Sequence, residues 1–160
     1  MSAENLYLHY VSDGPPRRRQ TISRADLRNL ITSRRSAGRR SASLEAYRSG
    51  APDPDAFTLS FDDAHASVLA HAAPVLAELD MPATLFVPTA YVGASDAFLD
   101  WDDLRRLRDL GWTLGAHSHT HPRMSWRLYD EDDAAHLARL RDELDRKSTR
   151  LNSSHERRSR

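Results

Sequence analysis

Apolar and polar positions alternate in blocks that predict strands and helices in turn. Leu6-Tyr7-Leu8-His9-Tyr10-Val11 is an aromatic and aliphatic run that predicts a strand, and Ser12-Asp13-Gly14-Pro15-Pro16 ends it with turn residues. Ser23, with Asp26 three positions on, predicts a capped helix start, and Leu27, Leu30 and Ile31 form its apolar face. Arg34 to Gly50, dominated by Arg, Ser and Gly, predicts a loop. Phe57 to Phe61 predicts a second strand, and Val68 to Leu79 a helix that Pro74 should kink or start late. Ala83 to Val87 predicts a third strand, stopped by Pro88, and Tyr91 to Leu99 a loop. Asp100 is placed to cap a helix from Trp101 to Leu110, which Gly111 would end, and Trp112 to Ala116 predicts a fourth strand. Asp130 to Arg146 then predicts an amphipathic helix with Leu137, Leu140 and Leu144 on one side.

Strand–helix alternation of this kind argues for α/β architecture with a parallel sheet, open or closed into a β/α barrel. The core is expected between Phe57 and Trp126, where the apolar residues gather. The 160 residues suit one domain. Net charge is zero, so bulk charge gives no argument for a nucleic-acid or anionic-membrane partner. The arginines between Arg34 and Gly50 lack interleaved aromatics, which favours a solvated surface over a nucleic-acid patch. With no cysteine, any metal would have to rest on His, Asp and Glu. No stretch reaches the roughly 20 apolar residues of a membrane span, and no signal peptide is visible, so the cytoplasm is the default expectation, with secretion or the cell envelope left open. From Lys147, the only lysine, the composition changes and the apolar period stops. Residues 147–160 are therefore expected to be an unstructured and non-native tail, outside a domain at 1–146.

Two polar motifs stand out because each closes a predicted strand. Ser60-Phe61-Asp62-Asp63 ends the second, and His117-Ser118-His119-Thr120-His121 ends the fourth. Such strand ends are where β/α folds carry their chemistry. Adjacent carboxylates after a buried strand are costly unless a cation or hydrogen bonds receive them. Asp63 could instead cap a helix beginning at Ala64, and the histidines could belong to an incidental polar loop. Pro122 and Gly115 argue against a helix at His117–His121, so both imidazoles would have to fold toward one point from a strand end. Two carboxylates and a His-x-x-x-His can supply three ligands for a divalent metal and leave one carboxylate as a base.

These residues resemble the polysaccharide deacetylases, the NodB-homology domain of carbohydrate esterase family 4. Thr58-Leu59-Ser60-Phe61-Asp62-Asp63 is similar to the family's first motif and His117 to Pro122 to its second. Pro82 to Val87, Trp101 to Leu104, Leu110 to His117 and Leu8 to Asp13 are similar to the intervening and opening runs, so the resemblance covers roughly Leu6 to Arg146. It implies a partial (β/α) barrel, cut after about four β/α units. It implies Asp63, His117 and His121 as ligands of a metal, usually zinc, and Asp62 as general base. The implied reaction is hydrolysis of N-acetyl, less often O-acetyl, groups on an oligo- or polysaccharide, a non-peptide amide bond in the first case.

Departures from the family pattern change the expectation. Ala64 and His65 stand where a glycine and an aromatic are usual, and His65, His71, His136 and His155 are expected to face solvent. The family's later motifs, with their arginine, aspartate and C-terminal Leu-x-His acid, have no counterpart here. The chain is therefore expected to hold metal but deacetylate poorly or not at all, with no placed general acid. The alternatives are a metal- or sugar-binding relative without turnover, and a related hydrolase of cyclic imides or ureides.

Overall fold

The computed structural model describes residues 3–16, 20–50 and 53–156, with side chains described as far as Arg146. Its elements in chain order are β1 (Glu4–Leu8), β2 (Tyr10–Ser12), β3 (Thr21–Ser23), α1 (Arg24–Ser36), β4 (Arg40–Ser41), α2 (Leu44–Ser49), β5 (Ala56–Phe61), a π-helical turn (Val68–Ala72), α3 (Ala73–Glu78), β6 (Thr84–Val87), α4 (Trp101–Asp109), β7 (Thr113–Ala116) and α5 (Asp133–Glu156). The main sheet runs β1-β5-β6-β7, with the short β4 beside the start of β5, and every pairing in it is parallel. This is a partial β/α barrel, its edges among the described residues being β1 and β7.

β5 is buried at all six positions because both neighbours and both faces cover it. Side chains alternate along a strand, so Phe57, Leu59 and Phe61 share one face and Ala56, Thr58 and Ser60 the other. The first set joins Leu85, Val87, Leu27, Ile31, Leu76, Leu104 and Leu107 in one apolar cluster, and Phe61 packs on Trp112 with ring centroids 5.5 Å apart. The second set is small, with hydroxyls on Thr58 and Ser60, and Thr58 donates to Asn5 Oδ1 at 2.8 Å. Polar side chains thus line the sheet face that leads to the end of β5.

Several local predictions hold. Ser23 Oγ accepts from Asp26 N–H at 3.0 Å and starts α1. Asp100 and Asp103 form a reciprocal capping box on α4, and Gly111, at φ 87°, follows its end in the left-handed region glycine favours. Pro74 has no N–H to donate, and the chain answers with the wider π-helical turn before α3 begins, a late start.

Other expectations are corrected. The first predicted strand is broken at His9 into β1 and β2, which join different sheets. The predicted loop from Arg34 to Gly50 contains the end of α1, β4 and α2; Ser43 caps α2 by accepting from Ala46 N–H at 3.0 Å. Several of its arginines have intramolecular partners: Arg34 forks onto Glu4 at 2.8 and 2.9 Å, Arg35 donates to Leu79 O and Ser41 Oγ, and Arg40 forks onto Asp53. The last helix begins at Asp133 and runs to Glu156, through the segment from Lys147 expected to be unstructured. A change of composition is not a helix stop, and neither Gly nor Pro occurs between Asp133 and Glu156. Residues 157–160 lie outside the described residues. Leu140 is half-buried, but Leu137 and Leu144 are 53% and 43% exposed, so the predicted apolar stripe of α5 is only partly covered. Among the described residues no helix is long and apolar enough to cross a membrane.

Glu131 fastens the segment before α5 to the helix itself. It accepts from Arg139 Nε at 2.7 Å and Nη2 at 2.9 Å, from Leu128 N–H at 3.1 Å, and pairs with His136 Nδ1 at 3.0 Å. His136, expected in solvent, is therefore largely covered. Chiefly through the Arg139 hydrogen bonds, the Glu131 carboxyl is held at about 2 instead of 4.5. A carboxyl lowered on folding contributes stability above its unfolded value and loses it as pH falls toward its folded one. Urea midpoints measured against pH are expected to drop between pH 4.5 and about 2, and Glu131→Gln to flatten that drop. An identical slope in the variant would refute the fastening.

Candidate metal centre

The sheet ladder runs one residue beyond its strands at the two motifs. Asp62 N–H donates to Leu8 O, and His117 N–H donates to Val87 O, each at 2.9 Å. Backbone pairing thus sets Asp62 beside the end of β1 and His117 beside the end of β6. Strand alternation would send Asp63 away from Asp62, toward the helices. Instead Asp63 and Ala64 adopt left-handed φ of 70° and 51°, which turns the Asp63 carboxylate back. Leu99 N–H clamps this turn by donating to Ala64 O at 2.9 Å. Ala64 has the conformation glycine adopts without cost, and the roughly 1–2 kcal/mol it forgoes is set against a methyl group that is wholly buried.

The second loop is built similarly. Ser118 and His121 have φ of 64° and 57°, and His121 N–H donates to Ser118 Oγ at 3.1 Å. No helix forms, and the two imidazoles fold onto one point, with Nε2 atoms 3.0 Å apart. Asp63 Oδ1 lies 3.5 Å from His121 Nε2 and 3.9 Å from His117 Nε2. One ligand atom from each of Asp63, His117 and His121 falls within a 4.8 Å span. Asp63 caps no helix.

Whether a cation suits the trio is answered by Asp63 Oδ1. It is buried and has no hydrogen-bond donor. Leaving a buried carboxylate oxygen unmatched is unfavourable by several kcal/mol in order of magnitude. Two imidazole nitrogens and one carboxylate oxygen form a donor set that suits a borderline divalent metal, so the residues fit one.

Asp62 lies beside the trio. Burial pushes its carboxyl above the ordinary value, the His117 and His9 imidazoles pull it back, and Asp63 adds to the rise. His9 is the functional candidate the sequence reading passed over as a strand residue. It sits at the break between β1 and β2, with its Nε2 3.9 Å from Asp63 Oδ2 and its Nδ1 buried without a partner. In the structure His9, like Asp62 and His117, follows the last residue of a strand, a place the unbroken apolar run Leu6 to Val11 does not reveal. His65 is also not a free surface histidine; Nδ1 lies 2.9 Å from Ser67 Oγ, and its ring packs edge-on against Tyr10 at 4.8 Å. Tyr91 stands beside His121 with ring centroids 6.2 Å apart, its phenol pushed up by burial and by Asp63 and Tyr10. His119, between the two ligand candidates, points away and pairs through Nδ1 with Thr89 Oγ1 at 2.8 Å.

Comparison with known proteins bears on the family and the fold. The family model described as polysaccharide deacetylase matches residues 49–158. The chain belongs to the polysaccharide deacetylase family. Structures similar to it include a de-N-acetylase from Aggregatibacter actinomycetemcomitans, with TM-score 0.80 and 17% identity, over 95% of this chain and 74% of that one. IcaB from Ammonifex degensii has TM-score 0.75 and 20% identity, over 96% and 72% of the respective chains. The BpsB deacetylase domain from Bordetella bronchiseptica has TM-score 0.73 and 22% identity, over 96% and 75%. These likenesses bear on the fold. A search of curated proteins finds no match.

The raised Asp62 carboxyl makes its charged form a burden on the metal-free fold. An acid raised on folding adds no penalty below its unfolded value, and the penalty grows as pH rises through the folded one. In chelator-treated protein, Asp62→Asn is expected to raise the urea midpoint at pH 7, with the gain vanishing below pH 3.8. A loss of stability at pH 7 would contradict the desolvation argument.

Proposed function

We propose that this chain is a metal-dependent hydrolase that removes acetyl groups from an N-acetylated oligo- or polysaccharide. The observation that carries the reading is the unmatched, buried Asp63 Oδ1 facing two convergent imidazoles, on a chain of the polysaccharide deacetylase family. Asp63, His117 and His121 hold the metal, and the nitrogen-rich donor set favours zinc. When bound, the metal supplies Lewis acidity for the acetyl carbonyl and lowers the pKa of water at the site.

The chain's own groups divide the proton work. Asp62, as carboxylate, takes a proton from water as the oxygen adds to the acetyl carbon. The carbon–nitrogen bond breaks only if the departing amine is protonated, because an amide anion is too basic to leave. In this reading His9 gives that proton, supported by its Nε2 lying 3.9 Å from Asp63 Oδ2. Acetate and a free amino sugar result. The preference for nitrogen over oxygen is supported by the name of one structural neighbour, a de-N-acetylase.

Replacing Asp63, His117 or His121 with Ala is expected to abolish zinc retention after dialysis, measured by elemental analysis. Unchanged metal content in all three variants would reject the ligand set. Asp62→Asn should keep the metal and lose acetate release from N-acetylated chitooligosaccharides by about 10²–10⁴-fold. His9→Gln should lose a similar factor on the N-acetyl substrate yet act nearly normally on nitrophenyl acetate, whose leaving group departs without a proton. Equal losses on both substrates would remove His9 from the acid role, and acetate release at the parent rate in Asp62→Asn would remove Asp62 as base.

A further inference from the structure

The loop that carries both histidines is gripped from outside by Glu143, a residue of α5 that contacts neither Asp62 nor the ligand trio. Its Oε2 accepts from the backbone N–H groups of His119 at 3.0 Å and Thr120 at 2.8 Å, and its Oε1 accepts from the Thr120 hydroxyl at 2.6 Å. Burial opposes ionisation of this carboxyl, but the Thr120 hydroxyl and the two N–H groups together hold it below its ordinary value. The loop's other side is fixed by the segment after β6. Thr89 N–H donates to Ser118 O at 3.2 Å, Ala90 N–H to His119 O at 2.9 Å, and Thr89 Oγ1 pairs with His119 Nδ1.

Both grips close on the residues between His117 and His121. Of the five residues from His117 to His121, Ser118 and His121 are non-glycine residues in left-handed conformations, each disfavoured by roughly 1–2 kcal/mol. Such a backbone persists only where its surroundings over-determine it. With the carboxylate removed, two neighbouring N–H groups lose their acceptor and the loop is free to relax. His117 would keep its place through the ladder bond to Val87, while His121, four residues on, would not. We propose that Glu143 is a positioning residue for the metal site, holding His121 in register with His117 and Asp63. The proposal rests on the reading of that trio as metal ligands.

Groups that orient metal ligands from behind typically change affinity by about 10- to 100-fold when removed. The test is competitive titration of zinc against a chromophoric chelator, in the full 160-residue chain stripped of metal. Glu143→Ala is expected to weaken zinc binding by about 10- to 100-fold, and Glu143→Gln by less, because an amide oxygen still accepts. Amide exchange at His119 and Thr120 should quicken in both variants without metal. Glu131→Gln, which loosens the segment before α5 from the helix, should leave zinc affinity unchanged; a loss there equal to that of Glu143→Ala would mean that any loosening around α5 weakens the site, and would overturn the proposal. Parent-like affinity in Glu143→Gln and Glu143→Ala, with binding lost in His117→Ala, would overturn it and leave the metal reading standing. Parent-like affinity in His117→Ala would overturn both. Should Glu143→Ala fail to fold, Glu143→Gln carries the test alone.

Discussion

A carboxylate oxygen buried without a donor is the constraint around which this molecule is arranged. Asp63 Oδ1 is drawn out of water at the end of a strand that is itself wholly buried, and no backbone or side-chain hydrogen reaches it. Its compensation must come from positive charge brought within reach. The unusual local features serve that end: the left-handed turn at Asp63–Ala64, the left-handed residues either side of the histidine loop, and three imidazoles directed at one acid. The trio is a group that could hold a cation, and a cation there would turn the same proximity into binding energy.

The sheet does most of the placing. Parallel strands that end together bring the first irregular residues after β1, β5 and β7 to a common rim, and the ladder continues through Asp62 and His117 before it is released. Two groups are therefore fixed by backbone hydrogen bonds, and two more, Asp63 and His121, by short turns anchored to them. Positional precision falls with distance from the ladder, and external clamps appear where it falls. Leu99 holds the first turn, and Thr89, Ala90 and Glu143 hold the second.

What could be read from the residue order follows the range of the forces involved. β5, β6 and β7 were legible because each is an apolar run closed by Asp, Pro or His, and the α4 cap because both its partners lie within three residues. The carboxylate and histidine motifs were legible as a pair, and the structure brings together the trio that family resemblance suggested. The break at His9 was hidden because an apolar run does not reveal that its halves pair with different sheets. β4 and α2 were hidden by brevity within an arginine-rich stretch, where ion pairs to Glu4 and Asp53 supply the order that hydrophobic period would otherwise signal. Glu143 left no local trace at all, since the N–H groups that donate to it lie 23 and 24 positions away and only tertiary folding brings them near.

The length of α5 gains meaning from where that glutamate sits. A helix accumulates partial negative charge at its carboxyl end, where the last carbonyls have no partners. Were α5 to stop at Arg146, Glu143 would lie in the terminal turn, its charge repelled by roughly 0.3–1 kcal/mol and its backbone prone to fray. Because the helix continues to Glu156, that negative pole is carried far beyond the clasp. Extension of the described helix past Arg146 thus takes the Glu143 carboxylate out of the turn where unpartnered carbonyls would oppose it.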